Sequence, residues 1–329
     1  MRTLTFKALR LLADGHFHSG AAISRRLARS RATLSQALKH APDLGVEIFP
    51  VPGKGYRLAD PIEFLDAQAI SARLGSRAER VSLHVLDEVE STSTHLSALA
   101  GAGAPSGSCV VAEWQRAGRG RRGRRWHAGL GASLTFSLLW RFEAGPGSLA
   151  GLSLAVAVAL ARALERSGAA GVGVKWPNDL VCDWRKLAGI LVETSGEVAG
   201  PTAAVIGIGV NYRLGIALER QIGQPAVDIA SICASPPSRN ALLADLVAEV
   251  IAALEQFERT GFAPFLGPWR ERHAYQDRRV LIQSGDGPPR EVRIVDVDAD
   301  GALVVSDGEA SVRLNSAEVS LRPVRVDGA

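Results

Sequence analysis

The spacing of apolar and polar positions divides the chain into three parts. Apolar residues at helical spacing predict three short helices in 3–41, and an alternating stretch with a central turn, 46–58, predicts a β-hairpin. Longer helices and buried strands follow. From residue 273 onward, short alternating runs between glycine-containing turns predict the five strands of a small SH3-like barrel. We therefore expect an α+β protein with domains at 1–65, 66–272 and 273–329.

The first domain has the pattern of a winged helix-turn-helix. Ser19 and Ser30 are placed to cap the second and third helices, and Leu34 and Leu38 share the inner face of the third. The hairpin that follows resembles a wing with Lys54 at its tip. A small helical oligomerisation unit is the alternative, but helix order, wing and charge together favour DNA. The candidate DNA contacts are Arg31, Thr33, Ser35, Gln36, Lys39 and Lys54.

Charge supports this interpretation. Residues 1–60 contain ten Lys and Arg against four Asp and Glu, whereas residues 273–329 contain seven against ten. The net charge of +4 is therefore concentrated in the first domain. A small basic unit joined to a nearly neutral body is typical of a DNA-binding domain attached to an enzyme.

Cysteine usage and hydropathy predict a cytoplasmic protein without a membrane partner. The three cysteines lack the paired spacing of a disulfide framework or a zinc site. The N-terminal residues lack the uncharged apolar core of a secretory signal. The longest apolar run, 148–168, contains Arg162 and predicts a buried helix rather than a membrane span.

An arginine-rich segment, residues 113–126, is the most unusual stretch of the chain. It contains six arginines and three glycines between two apolar runs that predict strands. Charge of this density repels itself, and the glycines disfavour a helix. We expect a mobile surface loop that binds an anion, and nucleic acid and a phosphate group both fit this description.

Two other stretches carry candidate chemistry. Ser91, Thr92 and Ser93 lie where a strand ends and a helix begins, so their hydroxyls either cap the helix or face a ligand. Farther along, a predicted hairpin returns Lys186 near Asp179. This pair indicates either a charged site or an ordinary surface salt bridge.

Several common catalytic arrangements are missing from the sequence. There is no GxxxxGK[ST] phosphate loop, and the GRGRRG letters lie between strands rather than at a strand-to-helix junction. Metal-ligand spacing and a Ser-His-Asp arrangement are also missing. What remains is charge stabilisation by basic side chains, which fits phosphoryl or adenylyl transfer.

Four motifs resemble those of the bifunctional biotin protein ligases that also act as biotin operon repressors. They are GRGRRGRRW (118–126), KWPNDL (175–180), RKLAGILVE (185–193) and IGIGVN (206–211). The resemblance covers essentially the whole chain, from PGKGYRL in the wing to SLR at 320–322. It implies a central α/β domain similar to the class II synthetase fold.

The resemblance implies a two-step reaction in which the substrates supply both nucleophiles. The carboxylate of biotin attacks the α-phosphate of ATP, assisted by Mg²⁺, and yields biotinyl-5′-AMP and pyrophosphate. A lysine of the biotin carboxyl carrier protein then attacks this mixed anhydride. The adenylate-bound form is expected to be a homodimer that binds biotin operator DNA and represses the biotin synthesis genes.

The resemblance also assigns roles to individual residues, with Lys186, Arg121 and Asp179 as the catalytic set. The positions similar to biotin contacts are Ser91, Thr92, Ser93, Gln115, Arg119, Gly120, Arg121 and Lys186. Those similar to nucleotide contacts are Arg119, Arg121, Trp126, Lys186, Asn211 and Arg322. Ser93 replaces the family's usual asparagine, and its short side chain puts a direct biotin contact in doubt although it can cap the helix.

Two other functions remain open at this point. The chain could be a DNA-binding biotin sensor that has lost ligation, although the presence of Arg119, Arg121, Lys186 and Asp179 argues against that loss. It could also transfer lipoate or octanoate, which would require a different acyl pocket.

Overall fold

The computed structural model describes residues 2–197, 200–284, 288–308, 310–315 and 319–323. Its N-terminal unit is a winged helix-turn-helix, as predicted. The elements are α1 (Arg2–Leu11), α2 (Gly20–Arg26), α3 (Arg31–Leu38), β1 (Ile48–Val51) and β2 (Gly55–Leu58). Ser19 and Ser30 cap α2 and α3 by accepting backbone hydrogen bonds, and Leu34 and Leu38 are buried beneath α3.

The central unit is a seven-stranded sheet covered by helices on both faces. Its strands are β3 (Ser82–Val89), β4 (Ser108–Gln115), β5 (Ser133–Phe142), β6 (Gly173–Lys175), β7 (Asp179–Cys182), β8 (Arg185–Gly196) and β9 (Thr202–Asn211). They are arranged in the order β3-β4-β5-β9-β8-β7-β6. Only β3 and β4 run parallel among the described pairs, because a helix connects them.

The helices of this unit follow the apolar periodicity closely. They are α4 (Ala67–Leu74), α5 (Thr92–Gly101), α6 (Leu152–Arg166), α7 (Ile216–Ile222), α8 (Ile229–Ile232), α9 (Arg239–Thr260) and α10 (Ala263–Glu271). Side chains of α5 pack with Val110, Leu139 and Val205 on one face of the sheet. The helices α4, α6, α9 and α10 contribute to the larger core on the other face.

One helical segment tests the prediction about membranes. Pro146–Arg166 is long and apolar enough to cross a membrane by length and composition, and 61% of its most apolar window is buried inside the protein. Most side chains of α6 are buried in the main core with those of α9. The segment is therefore a core helix, as expected, and α6 begins at Leu152, after a short 3₁₀ turn.

The C-terminal unit is the predicted set of five short strands. They are β10 (Arg279–Ser284), β11 (Arg290–Val297), β12 (Leu303–Ser306), β13 (Ser311–Leu314) and β14 (Val319–Pro323). All described pairs are antiparallel, and the first strand pairs with the last. Val280, Ile294 and Leu303 belong to the same apolar core as the central unit, so the two units share one interior.

A buried ion pair fixes the end of β4. The Glu113 side chain is fully buried and the Arg239 side chain is 2% exposed, with Nη1 of the arginine 3.0 Å from Oε2. The same guanidinium donates to the carbonyl oxygens of Ser133 and Glu63, while Glu113 also accepts a hydrogen bond from the Leu65 backbone. Four segments far apart in sequence therefore meet at one guanidinium.

We predict that Arg239→Met lowers the free energy of unfolding by about 3–5 kcal/mol, because it leaves the Glu113 carboxylate buried without its partner. Urea unfolding followed by circular dichroism measures the change. Arg73→Met removes an exposed pair with Asp245 and should leave the transition unchanged. The double variant Glu113→Met/Arg239→Met should recover part of the loss. An unaltered urea midpoint for Arg239→Met would contradict the prediction.

Candidate active site

One cavity of about 1080 Å³ gathers the predicted site residues of the central unit. It lies against the strands β6 to β9 and is bounded by the start of α5 and the arginine-rich segment. The predicted residues that line it are Ser91, Thr92, Ser93, Gln115, Arg119, Gly120, Arg121, Trp126, Asp179, Lys186 and Asn211. Residues separated by up to 120 positions in sequence therefore share one space.

A chain of buried hydroxyl and amide groups forms one end of the cavity. The Gln115 Oε1 accepts a hydrogen bond from the Thr92 backbone at 2.7 Å, and Ser137 Oγ lies 2.8 Å from Thr92 Oγ1. Ser137 Oγ also lies 3.0 Å from Ser93 Oγ. Because these hydroxyl and amide groups are hydrogen-bonded to one another, their positions are fixed before a ligand binds. Such an arrangement suits a small polar ligand.

The helix α5 is capped by Ser91 and not by Ser93. The Ser91 hydroxyl accepts the Thr94 N–H, and the helix begins at Thr92. Ser93 lies within the first turn, where its hydroxyl is directed at Ser137. The expectation that Ser93 caps the helix was wrong, because the helix begins at Thr92, one residue earlier than its pattern indicated.

The arginine-rich segment continues from β4 as a loop whose backbone is hydrogen-bonded to itself. Gly120 N donates to Arg124 O at 2.8 Å, and Trp126 N donates to Gly118 O at 2.9 Å, which closes a small hairpin. The guanidinium groups of its arginines contact separate partners. Arg119 Nη2 lies 2.8 Å from Glu193, and Arg121 Nη1 donates to Asn178 Oδ1 at 3.2 Å.

Trp126 lies flat across the glycines of two central strands. A Cβ added to Gly209 would meet its indole at 2.3 Å, and one added to Gly189 would meet it at 3.3 Å. The Lys186 Nζ lies 5.8 Å from the centre of the same ring. The IGIGVN motif thus needs glycine at 209, because the aromatic ring occupies the space of a side chain there, whereas a Cβ at 189 would first meet the Lys186 side chain at 3.2 Å.

Asp179 is surrounded by cations. Lys186 Nζ lies 2.8 Å from its Oδ1, with both side chains about one fifth exposed, at 20% and 18%. That oxygen accepts no hydrogen bond of good geometry from the described residues. Burial lowers the pKa of Arg121 and of Lys175, and the charge of Asp179 opposes both shifts. The pair predicted as a charged site lies inside the cavity and is not a surface salt bridge.

Asn211 binds the backbone of two other segments that border the cavity. Its amide nitrogen donates to the carbonyl oxygens of Lys186 and Val227, each at 3.1 Å. The Lys186 backbone also pairs with Pro225 and Val227. Asn211 therefore positions the lysine and the segment that follows α7, while it also lines the cavity.

Arg322 was also predicted to contact the nucleotide. Its backbone lies in β14 and pairs with Leu281, a residue that lines the cavity. The side chain of Arg322 lies outside the described part of the structure.

Three residues of this region were missed by the sequence analysis. Ser137 is a hydroxyl inside an apolar strand, Asn178 was treated as turn chemistry, and Tyr275 lies at the entrance to the C-terminal unit. The sequence offered one sign that Ser137 belongs to the site, namely that it is a polar residue in an otherwise apolar strand. Nothing local in the sequence indicates that Tyr275 reaches the cavity.

The predicted DNA-binding residues lie on one unit and are mostly accessible. Arg31, Gln36, Lys39 and Lys54 are exposed, whereas Thr33 and Ser35 are half-buried. The Thr33 hydroxyl lies 2.8 Å from Ser30 Oγ and so belongs to the cap of α3.

Comparisons with known proteins agree with this architecture. Residues 85–211 match the biotin/lipoate A/B protein ligase family, residues 4–57 an HTH domain, and residues 277–322 the biotin protein ligase C terminal domain. The bifunctional ligase/repressor BirA of Salmonella typhimurium is 39% identical over 97% of this chain and 98% of its own length. This chain belongs to the bifunctional biotin ligase/repressor family.

Further similarity to members of the biotin ligase/repressor family supports the fold. BirA of Escherichia coli is 38% identical over the same shares of both chains. The solved structure of a biotin protein ligase from Aquifex aeolicus in complex with biotin and ATP aligns with a TM-score of 0.63 and 26% identity, covering 74% of this chain and 99% of that one. The fold predicted from the resemblance is confirmed.

We predict that Gly209→Ala displaces the Trp126 indole and lowers the free energy of unfolding by about 1–3 kcal/mol through overpacking. Near-ultraviolet circular dichroism should report the moved ring, and urea unfolding the loss of stability. Gly215→Ala is the matched control, because a Cβ there meets no atom within 4 Å. Identical spectra for the Gly209 variant and the wild type would show that the ring does not depend on this glycine.

Proposed function

We propose that this cavity binds biotin and ATP, forms biotinyl-5′-AMP and transfers biotin to a lysine of the biotin carboxyl carrier protein. As a member of the bifunctional family, the chain is a biotin–[biotin carboxyl-carrier protein] ligase with a DNA-binding repressor domain. The observation that supports the proposal most is the joining, in one cavity, of a preformed polar chain and a group of cations. The first suits a ureido ring and the second a phosphate.

The polar end is the proposed biotin site. Ser91, Thr92 and Gln115 supply hydroxyl, backbone and amide groups that can donate to and accept from a cyclic urea. Ser93 acts through Ser137, which it contacts at 3.0 Å, so its short side chain positions Thr92 rather than reaching the ligand. This role explains how serine serves at a position where the family usually has asparagine.

The cations next to Trp126 are the proposed site of adenylate formation. When the biotin carboxylate attacks, negative charge builds up on the oxygens of the α-phosphate, and fixed positive groups stabilise it. We assign this role to Lys186 and Arg121, with Arg119 and the backbone of Gly120 closing the segment over the product. Trp126, Asn211 and Arg322 complete the proposed nucleotide site.

Mg²⁺ fits this site through Asp179. Among the described residues, no group of three or more His, Cys, Asp or Glu side chains could hold a metal alone. Mg²⁺ is commonly bound by one or two carboxylates together with substrate phosphates, and Asp179 is a carboxylate of the cavity lining that a phosphate engaging Lys186 would release for the metal. Bound there, the ion would neutralise phosphate charge.

Transfer requires a neutral amine on the carrier lysine. Asp179 lies beside the proposed phosphate group, and its carboxylate is paired with Lys186 when no ligand is present. A ligand anion that engages Lys186 would release Asp179, which we propose then orients or deprotonates the incoming amine. The amine attacks the acyl carbon of biotinyl-5′-AMP, and AMP leaves.

We predict that Arg121→Gly forms biotinyl-5′-AMP but releases it at least tenfold faster, because a charge-assisted contact contributes about 1.5–3 kcal/mol. Dissociation of labelled adenylate measures the release, and pyrophosphate production measures its formation. Arg121→Met removes the charge without the backbone freedom that glycine adds, so a comparison of the two variants separates these effects. Arg77→Gly, at an exposed arginine away from the cavity, is the control. Retention of adenylate equal to the wild type would refute the role of Arg121.

The ligase proposal is tested by incubating the wild-type protein with labelled ATP, biotin and a carrier domain. Pyrophosphate release and carrier labelling are expected. Their absence would favour a DNA-binding biotin sensor, and competition by octanoate would favour an octanoate or lipoate transferase instead.

The winged helix is the proposed repressor unit. We infer that the adenylate is the corepressor, that the adenylate-bound chain dimerises, and that the dimer binds biotin operator DNA through α3 and the wing. The exposed Arg31 and Gln36 lie on α3, Lys39 follows its last residue, and Lys54 lies at the tip of the hairpin. A basic helix-turn-helix with a cationic wing has the chemistry for base and phosphate contacts.

The domain limits and the location of the protein are also proposals. We assign 1–65 to the DNA-binding domain, 66–272 to the ligase domain and 273–329 to the C-terminal domain, which is consistent with the separate sheets of the three units. Three free, buried cysteines fit the reducing cytoplasm.

We predict that Lys54→Ala weakens binding to promoter DNA of the biotin synthesis genes and reduces the slope of log affinity against log salt by about one, since one phosphate contact is lost. Fluorescence anisotropy at several salt concentrations measures both. Lys7→Ala removes the same charge from an exposed position on α1 and should keep the slope. Equal slopes for Lys54→Ala and the wild type would exclude a phosphate contact at the wing tip.

A further inference from the structure

Lys175 is a cation of the cavity that the proposed reaction has not yet used. It ends β6, at the edge of the seven-stranded sheet, directly opposite Asp179 in the register with β7. Its Nζ lies 5.2 Å from the ring centre of Tyr275, and Tyr275 is itself only 2% exposed. Within the described residues, no carboxylate oxygen lies within 4.0 Å of this nitrogen.

The nearest carboxylate is already occupied. Asp179 lies 2.8 Å from Lys186, and its charge also acts on Arg121. Burial, followed by the charges of Lys186 and Arg124, lowers the pKa of Lys175 despite Asp179. A half-buried ammonium group that is not paired in the unliganded protein favours an incoming anion.

The net positive charge of the cavity lining is larger than the single negative charge of the biotin carboxylate requires. Among the described residues, its lining includes seven basic side chains and one acidic side chain. The biotin carboxylate carries one negative charge, and it is consumed when the adenylate forms. The surplus of positive charge therefore fits a ligand with several phosphates.

Lys175 lies on the side of the cavity toward which the leaving group is expected to depart. Along the sheet, Gln115 on β4 comes first, then Lys186 on β8, and then Lys175 on β6. In an in-line displacement, the leaving group departs on the side opposite the attacking oxygen. With biotin at the Gln115 end and the α-phosphate at Lys186, pyrophosphate leaves toward the edge strand that carries Lys175.

We propose that Lys175 binds the β- and γ-phosphates of ATP and holds the pyrophosphate as it leaves, an assignment that rests on the proposed ligase function. As the biotin carboxylate oxygen bonds to the α-phosphorus, the bond from that phosphorus to the bridging oxygen breaks, and its electron pair stays on pyrophosphate. The ammonium group of Lys175 neutralises the charge that accumulates there. Tyr275 holds the lysine side chain in place.

The test separates the two halves of the reaction. Lys175→Met keeps most of the side-chain volume and removes the charge, and Lys175→Gln is a second variant with the same loss. We expect adenylate formation, measured as pyrophosphate release without carrier, to slow roughly 10- to 100-fold, which corresponds to one lost charge-assisted contact. The KM for ATP and the inhibition constant of inorganic pyrophosphate should both rise. Lys175→Arg should recover most of the rate.

Other measurements should stay constant if Lys175 contacts only the leaving group. Biotin affinity measured by calorimetry without ATP, and transfer to a carrier domain from supplied biotinyl-5′-AMP, should match the wild type within about twofold. Arg278→Met is the matched control, because this cation contacts Trp184 at 5.3 Å but does not line the cavity. It should change none of these values.

Two results would overturn the assignment. Pyrophosphate inhibition that is equal in Lys175→Met and the wild type would show that the lysine does not contact the leaving group. Equal slowing of adenylate formation and of transfer from supplied adenylate would show a structural role. A wild-type protein that forms no adenylate would instead overturn the proposed function itself, so the two failures are distinguishable.

Discussion

The ion pair between Glu113 and Arg239 is the contact on which the rest of the site depends. Glu113 lies two residues before Gln115, where β4 runs into the arginine-rich segment, and the same guanidinium holds the carbonyl of Ser133, where the chain returns as β5. One side chain thus fixes both ends of a segment of about twenty residues. A cationic segment of this length could separate from the body of the protein if its ends were free, because its own charges repel.

The same region connects the cavity to the winged helix. Leu130, which follows the arginine-rich segment, is buried in the core of the N-terminal unit and donates its backbone N–H to Leu44 at 2.9 Å. At the start of the segment, Trp114 packs against that unit beneath Arg2. Glu88 pairs with both Arg2 and Arg116. Any displacement of the segment therefore alters contacts that hold the DNA-binding unit in place.

The sequence was informative wherever a signal is confined to a few neighbouring residues. Ser19 and Ser30 were recognised as helix caps, and the winged helix, the buried apolar helix and the five terminal strands followed from periodicity. The motifs also identified the residues that line the cavity, although their individual roles remain proposals. Signals of this kind can be interpreted without knowing which distant residues lie nearby in the fold.

Contacts between distant residues were not predictable in the same way. Glu113 and Arg239 are 126 positions apart, and no local pattern links the two residues. The small hairpin that closes the arginine-rich segment was not predicted, because charge density alone indicates repulsion. In the folded chain Glu193, Asn178 and the Arg116 carbonyl each contact a different arginine, so the repulsion is distributed over separate partners.

The balance of charge around Asp179 explains how one cavity can serve both steps of the reaction. Without ligand, the carboxylate compensates Lys186 directly and weakens the repulsion among the cations around it. In the proposed reaction, ATP supplies the negative charge that replaces Asp179 as the partner of these cations. The carboxylate, released from Lys186, would then accept a hydrogen bond from the incoming amine of the carrier. On this proposal, the group that compensates the cations of the unliganded cavity becomes the partner of the second nucleophile once the ligand is bound.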